Sequence, residues 1–356
     1  MLIEPHTLYP AGANVPAFRL LDVRAGIEVA RGAMPFSVHA PILTDEERHE
    51  VGIRYKRVGQ EEAVALGYDL TDAVMPQRIA AWRAVCDTGP TAVMCWRGGM
   101  RSKLAAQFIG REDVPRVSGG YKALRNYVMS QLATSLAEKE SYVIGGMTGS
   151  GKTALLHEVA GHSDVLALDL EGEAKHRGSA FGSLLEPQSA QATFENSLAT
   201  KLLLSSASVL LLEDESRNIG KRQLPESIYR EIEKGPLILV EESVPSRVQQ
   251  IHRDYVLSLS DAHGVAAAKA YLKESLLKLR KRLSSDVVER GAKNLEEISA
   301  GSAWRDPAVH AWIAPLLTEY YDPLYRKGLK TMNRPVIFRG SREECRAWIT
   351  QSLVNR

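Results

Sequence analysis

Residues 146–153 read GMTGSGKT and satisfy the pattern G-x4-G-K-T. An apolar run, Tyr142 to Ile144, precedes them, and a segment with helical spacing follows. No other stretch restricts the fold so strongly. A Gly-rich turn between a strand and a helix lets successive backbone N–H groups wrap an anion at the helix N-terminus. Gly146, Gly149, Ser150 and Gly151 would form that cradle. Lys152 would neutralise di- or triphosphate oxygens, and the Thr153 hydroxyl can hold Mg²⁺. The motif does not choose the owner of the phosphate, which can be a nucleoside or an apolar group.

The flanking sequence fits an α/β layer. After the turn, Val165 to Leu168, Val209 to Leu212 and Leu237 to Val240 are apolar runs separated by helical segments, the rhythm of a doubly wound parallel sheet. VLLLEDES ends in Glu213, Asp214 and Glu215, placed like the acidic second motif of phosphate-loop NTPases, with a solvated acidic turn as the alternative. Val265 to Leu283 has the pattern of one long helix. Val336 to Phe338 is a last candidate strand, and Ser341 with Glu344 forms a capping-box pattern. Upstream, Arg19 to Val23, TAVMC (Thr91 to Cys95) and Val114 to Val117 are further short strands among helices. At 356 residues the chain has room for two cores. Ala133 to Ser141 is polar without a clear apolar stripe, so the expected domains are 12–134 and 140–356.

Residues 95–102, CWRGGMRS, set a second loop behind the TAVM strand. A thiolate needs positive potential nearby. Backbone amides curved by Gly98 and Gly99, with full charges from Arg97 and Arg101, would supply it. Cys95 therefore reads as a nucleophile in an electropositive cup open to solvent, while Cys86 and Cys345, on helical segments, read as buried structural thiols. Three cysteines are too few and too odd for a disulfide framework, which fits a reducing cytoplasm. The N-terminus lacks a secretory pattern, and no stretch approaches the ~20 apolar residues of a membrane helix.

Net charge is +2; the first 134 residues carry 16 basic and 14 acidic side chains, and the remainder 29 of each. An RNA partner must therefore be held by a local patch. The best candidate is KESLLKLRKRL, where Lys278, Arg280, Lys281 and Arg282 are concentrated, although a solvated helix face has the same composition.

In order and spacing, LLDVRA, GAMPFSVHAP (Gly32 to Pro41), CWRGGMRS and VSGGYKAL resemble a rhodanese domain. The loop is C-x5-R from Cys95 to Arg101, one residue longer than in most sulfur-transferring rhodaneses, and in length it resembles the related Cys-dependent phosphatases. A rhodanese-like domain followed by a phosphate-loop domain resembles one family closely, the selenophosphate-dependent tRNA 2-selenouridine synthases. KHRGSAFG (Lys175 to Gly182), EDESRNIGK and EYYDPLY look like blocks of that family. The resemblance implies two steps at the wobble uridine of the tRNA anticodon: S-geranylation of 2-thiouridine by geranyl diphosphate, then replacement of the S-geranyl group by selenium from selenophosphate. It implies an S-selanyl adduct on Cys95, geranyl diphosphate in the phosphate loop, no tightly bound cofactor, and a selenophosphate-supplying enzyme as a conceivable partner. His176, Arg177 and Arg217 are expected to touch the diphosphate or tRNA. Tyr320, Tyr321 and Tyr325 either stack an extruded base or pack in the core. Two rival readings are a sulfurtransferase or Cys-phosphatase fused to a small-molecule kinase, and a phosphate-loop switch with a silent rhodanese domain.

Overall fold

The computed structural model describes residues 1–183, 185, 187–331 and 334–354; positions 184, 186, 332–333 and 355–356, all within the expected second domain, lie outside the described residues. The chain divides into two compact units, residues 1–135 with 189–206, and residues 136–188 with 207–356.

The first unit is built on a five-stranded parallel sheet in the order Leu2–Ile3, Arg116–Val117, Thr91–Met94, Arg19–Asp22, Ser37–His39. Its central strand, TAVM, is buried throughout, the state expected of an apolar run covered on both faces by helices. The two edge strands are two and three residues long. They are too short to show a period of two in the sequence. Leu21, Val23, Val93, Trp82, Ala105 and Ile109 form the core under the cysteine loop.

The units divide between residues 135 and 136, inside the polar segment Ala133 to Ser141 expected as the boundary, and that segment is largely regular structure. Helix Gly120–Ala137 runs through its first half, and strand Glu140–Gly146 takes up its end. The apolar stripe exists but begins upstream, with Leu124, Val128, Leu132 and Leu136 buried at four-residue spacing. A window starting at Ala133 sees only its last member. The helix Gln191–Leu204, inside the expected 140–356 domain, groups with the first unit. Asn196 donates to the Ala33 carbonyl at 2.7 Å, Arg125 to the Ala192 carbonyl at 3.2 Å, and Gly12 N–H to the Leu203 carbonyl at 2.9 Å.

The second unit holds another five-stranded parallel sheet, ordered Val336–Gly340, Leu237–Val240, Glu140–Gly146, Val209–Glu213, Val165–Leu168. The fold class is thus α/β with two parallel sheets, as the alternation of apolar runs requires. The capping box at Ser341 forms, with Glu344 N–H donating to Ser341 Oγ and Ser341 N–H donating back to the Glu344 carboxylate. A separate helical core, including Tyr255, Leu272, Leu276, Trp304 and Trp312, fills residues 251–320. The expected long helix stops at Leu277 and tightens into a 3₁₀ turn, Lys278–Lys281. Leu279, within that turn, and Leu283, just beyond it, are both buried in the helical core.

Candidate active sites in the two units

In the first unit, the Cys95 loop leaves the buried TAVM strand and ends at helix Met100–Ile109. Its base is fixed to the Gly119-Gly120 turn: Tyr121 N–H donates to the Cys95 carbonyl at 2.9 Å and Lys122 N–H to that of Trp96 at 3.1 Å. Gly98 and Gly120 both have positive φ, 67° and 61°. A Cβ on Gly120 would lie 2.3 Å from the Cys95 carbonyl oxygen and 2.4 Å from Gly98 N, so only glycine permits the approach. Among the described residues, no acceptor takes the amides of Trp96 through Arg101. Six consecutive donors without protein partners are the makings of an anion cradle.

Two expectations for this loop need correcting. Cys95 is 3% exposed rather than open to solvent, because the core side chains of the unit close around it. Its thiol donates to Ser102 Oγ at 3.3 Å, and Ser102 donates on to the Gly99 carbonyl at 3.1 Å. Arg101, expected to be a free charge in the cup, forms a two-pronged pair with Glu28, one arm at 3.0 Å. Burial works to raise the Glu28 pKa. The Arg101 guanidinium, the Ala25 N–H and Arg48 outweigh it and hold the carboxyl below its usual range. Arg97 is exposed and has no acidic partner among the described residues, so it is the cation left for a ligand. Behind the loop, Arg24 pairs with Asp22 at 2.7 Å and lies 3.9 Å from the Tyr121 ring, which stacks on Trp96. Cys86 and Cys345 are buried, and burial raises both thiols, Cys345 to about 11.

In the second unit, strand Glu140–Gly146 delivers the phosphate loop and helix Lys152–Val159 carries it away. Gly149 and Gly151 have φ of 80° and 83°. Lys152 Nζ donates to the Gly146 carbonyl at 3.1 Å. Ser150 Oγ is buried without a partner among the described residues, a polar atom waiting for a ligand. Thr153 Oγ donates to Glu213 at 2.6 Å, and the Leu170 N–H donates to the other Glu213 oxygen at 3.1 Å. Burial, with Glu171 and Asp169 nearby, pushes the Glu213 carboxyl up to about 7. Glu171 and Glu215 are raised by burial as well. A dication held by Thr153 and Glu213 would relieve this crowding, so the two residues fit Mg²⁺.

Two cavities adjoin the loop. One, of about 160 Å³, has Lys152, Thr153, Arg177, Glu171 and Tyr255 on its walls. The other, of about 700 Å³, is lined by Lys152, Glu215, Tyr321, Leu324, Tyr325 and Ile232 among others. Arg177 thus reaches the phosphate loop, braced 3.3 Å from Asp254 and over the Tyr255 ring. His176 lines neither cavity. Its ring packs against Gly220 and Gly182, and burial lowers its pKa. Arg217 turns to Glu226 and the Tyr229 ring. The three tyrosines separate: Tyr320 is in the helical core, Tyr321 lines both cavities, and the Tyr325 hydroxyl accepts from Gly146 N–H at 2.7 Å. Lys278, Arg280, Lys281 and Arg282 are all exposed, with Lys278 paired to Glu274 and Arg282 bonded to Tyr320.

Sequence reasoning missed the residues that hold these loops from behind. Arg247 is buried, donating to the Thr148 carbonyl at 2.8 Å and pairing with Asp322 at 2.6 Å. Nothing in VPSRVQQI marks it out, although Asp322 lies in the quoted EYYDPLY block. Glu28 had one local signal, its position three residues after Ala25, whose N–H it accepts at 3.1 Å.

Comparison with known proteins bears on both halves. Residues 139–356 match the family model described as the tRNA 2-selenouridine synthase AAA domain. The chain is 39% identical over 350 residues to the tRNA 2-selenouridine synthase of Cupriavidus pinatubonensis (strain JMP 134 / LMG 1197), covering 93% of this chain and 94% of that one. It is 39% identical over 345 residues to the protein of that name from Bordetella bronchiseptica (91% and 92% covered), and 38% over 351 residues to that of Pseudomonas aeruginosa strain LESB58 (93% and 94% covered).

Proposed function

Since the chain belongs to the tRNA 2-selenouridine synthase family, we propose that it converts 2-thiouridine at the wobble position of tRNA into 2-selenouridine in two steps. In the first, the thiouridine sulfur attacks the C1 carbon of geranyl diphosphate, the C–O bond breaks, and diphosphate leaves. Lys152, Arg177 and the loop amides bind the diphosphate and stabilise the negative charge that grows on it as it departs. Ser150 Oγ supplies a further donor. Mg²⁺ held through Thr153 and Glu213 would add Lewis-acid neutralisation of the same oxygens. Alkylation matters because it turns a poor leaving group into a thiol that departs readily.

In the second step, selenium from selenophosphate bonds to C2 of the base, geranylthiol leaves, and the phosphoryl group ends as phosphate. The net exchange is redox-neutral. Cys95 is the selenium-handling residue: its thiolate attacks the phosphorus of selenophosphate, the P–Se bond breaks to release selenide for C2, and water hydrolyses the resulting S-phosphoryl cysteine to phosphate, which the loop amides and Arg97 hold. This requires selenophosphate to reach a thiol that is 3% exposed, hence an outward movement of the loop or of the side chains over it. The exposed basic segment Lys278 to Arg282 would follow tRNA phosphates.

The observation that carries the reading is the presence, in one chain of this family, of two separate anion cradles, one with a free thiol and one with a lysine. The test is mass spectrometry of nucleosides from thiolated tRNA treated with geranyl diphosphate and selenophosphate. Cys95→Ser should accumulate S-geranyl-2-thiouridine and form no selenouridine. Lys152→Ala should form neither, yet should selenate tRNA that is already geranylated. Equal loss of both steps in Cys95→Ser would overturn the division of labour.

A further inference from the structure

The first unit contains an apolar cavity of about 330 Å³ beside the cysteine loop that neither step above uses. We propose that this cavity takes the isoprenoid chain of the S-geranylated tRNA base while selenium is exchanged at C2, an assignment that rests on the two-step reading. Val51, Val64, Met75, Leu104 and Phe108 are among the apolar side chains of its wall. Gln60, Tyr55 and Tyr68 also line it, and two of its polar groups are already engaged. Thr71 Oγ donates to the Gly67 carbonyl at 2.8 Å, and Arg101 is neutralised by Glu28. A cavity of that composition favours a hydrocarbon and disfavours a sugar or a base.

Position supports the same occupant. Met100 and Arg101, which line the cavity, open the helix directly after the Cys95 loop. Ile42 and Leu43 line it too, and both belong to the core cluster that encloses Cys95. A chain seated here would therefore lie within reach of the sulfur that must leave when selenium arrives. Burying it would hold the reacting carbon near the loop, which lowers the entropic cost of the exchange.

A second cleft shares Leu43, Val51, Tyr55 and Arg101 with the cavity, and Arg48, His49 and Lys56 add basic side chains to its walls. His49 and Lys56 have no acidic partner among the described residues. Hydrocarbon walls flanked by basic side chains, with Lys56 an unpaired cation among the described residues, match a hydrocarbon tethered to a polyanion, which is what a prenylated RNA is. Geranyl diphosphate itself would satisfy part of this chemistry, and the test separates the two.

Gly67 gives a clean perturbation. It lines the cavity, and a Cβ there would meet only Val51 Cγ2 at 3.8 Å, an ordinary contact. Gly67→Leu should fill the cavity while favouring its helix, and Val64→Arg should place a charge in it. Full-length protein is titrated with a fluorescent anticodon stem-loop RNA carrying either S-geranyl-2-thiouridine or 2-thiouridine. Wild type should bind the geranylated RNA about tenfold more tightly, as burial of a hydrocarbon chain implies. Both variants should lose most of that preference, bind the unmodified RNA as before, and still produce S-geranyl RNA from geranyl diphosphate. An undiminished preference in Gly67→Leu and Val64→Arg overturns the assignment. So does a loss confined to geranyl diphosphate binding and the geranylation rate, which would make the cavity a donor site. If wild type produces no S-geranyl RNA, the two-step reading itself falls and the assignment goes with it. If it does produce it but shows no preference, only the assignment falls.

Discussion

The Arg247–Asp322 pair offers the sharpest quantitative test of how the phosphate loop is held. The two side chains are 2% and 4% exposed. Arg247 makes two bonds to Asp322, at 2.6 and 3.0 Å, and a third to the Thr148 carbonyl inside the loop. Arg247→Met leaves Asp322 as a buried unpaired carboxylate, a change that costs about 3–5 kcal/mol. Against a total stability of about 5–15 kcal/mol, that is a large fraction. The double variant Arg247→Met/Asp322→Leu leaves no buried charge and should recover most of the loss, because an apolar pair of similar volume is close to neutral in such a site. It does not rebuild the bond to Thr148. A deficit of about 1–3 kcal/mol should therefore remain, together with weakened geranyl diphosphate binding. Urea unfolding at constant m-value gives the stabilities, the four proteins form a double-mutant cycle, and calorimetric titration gives the ligand affinity. Simple additivity of the two single losses would refute the argument. So would a cost below about 1 kcal/mol for Arg247→Met, since either result would mean that water reaches the pair.

Gly120→Ala should abolish selenation and spare geranylation, because its methyl group would occupy the space of the Cys95 carbonyl and force the loop open; nucleoside mass spectrometry separates the two. The Glu213 pKa is raised on folding, from 4.5 to about 7, so the folded protein binds the extra proton. Stability should then fall as pH rises through that window and level off above it, by a few kcal/mol at most, and Glu213→Gln should flatten the slope of midpoint against pH. Changing Lys278, Arg280 and Lys281 to Ala should weaken tRNA binding and lower the slope of log affinity against log salt by about one for each lost phosphate contact, with geranyl diphosphate binding unchanged.

Much of this protein is legible in one dimension because its sheets are parallel and buried. Strands such as VLAL and LILV are continuous apolar runs, and the structure ends them within a residue of where the sequence does. Both loops are legible for a related reason: glycines, a lysine and a cysteine at fixed spacing have few other uses. What could not be read lies at a distance in sequence. Glu28 meets Arg101 across 73 positions, and Arg247 meets Thr148 across 99. Neither pairing leaves a periodic or local trace. The charge of Arg101 was overestimated for the same reason, since its partner lies on a different element. His176 and Arg177 are adjacent in sequence, yet of the two only Arg177 lines the smaller phosphate-loop cavity, and only the turn geometry of that segment decides between them.

The Gln191–Leu204 helix also has a consequence for how the protein is made. The first unit borrows this helix from beyond the segment 136–188, so a ribosome must synthesise roughly two hundred residues before that unit has all its parts. A gene truncated after residue 135 would encode a unit missing one of its helices, with the seats for Asn196 and Leu203 left bare. Anyone wishing to study the cysteine loop in isolation should splice residues 189–206 back on.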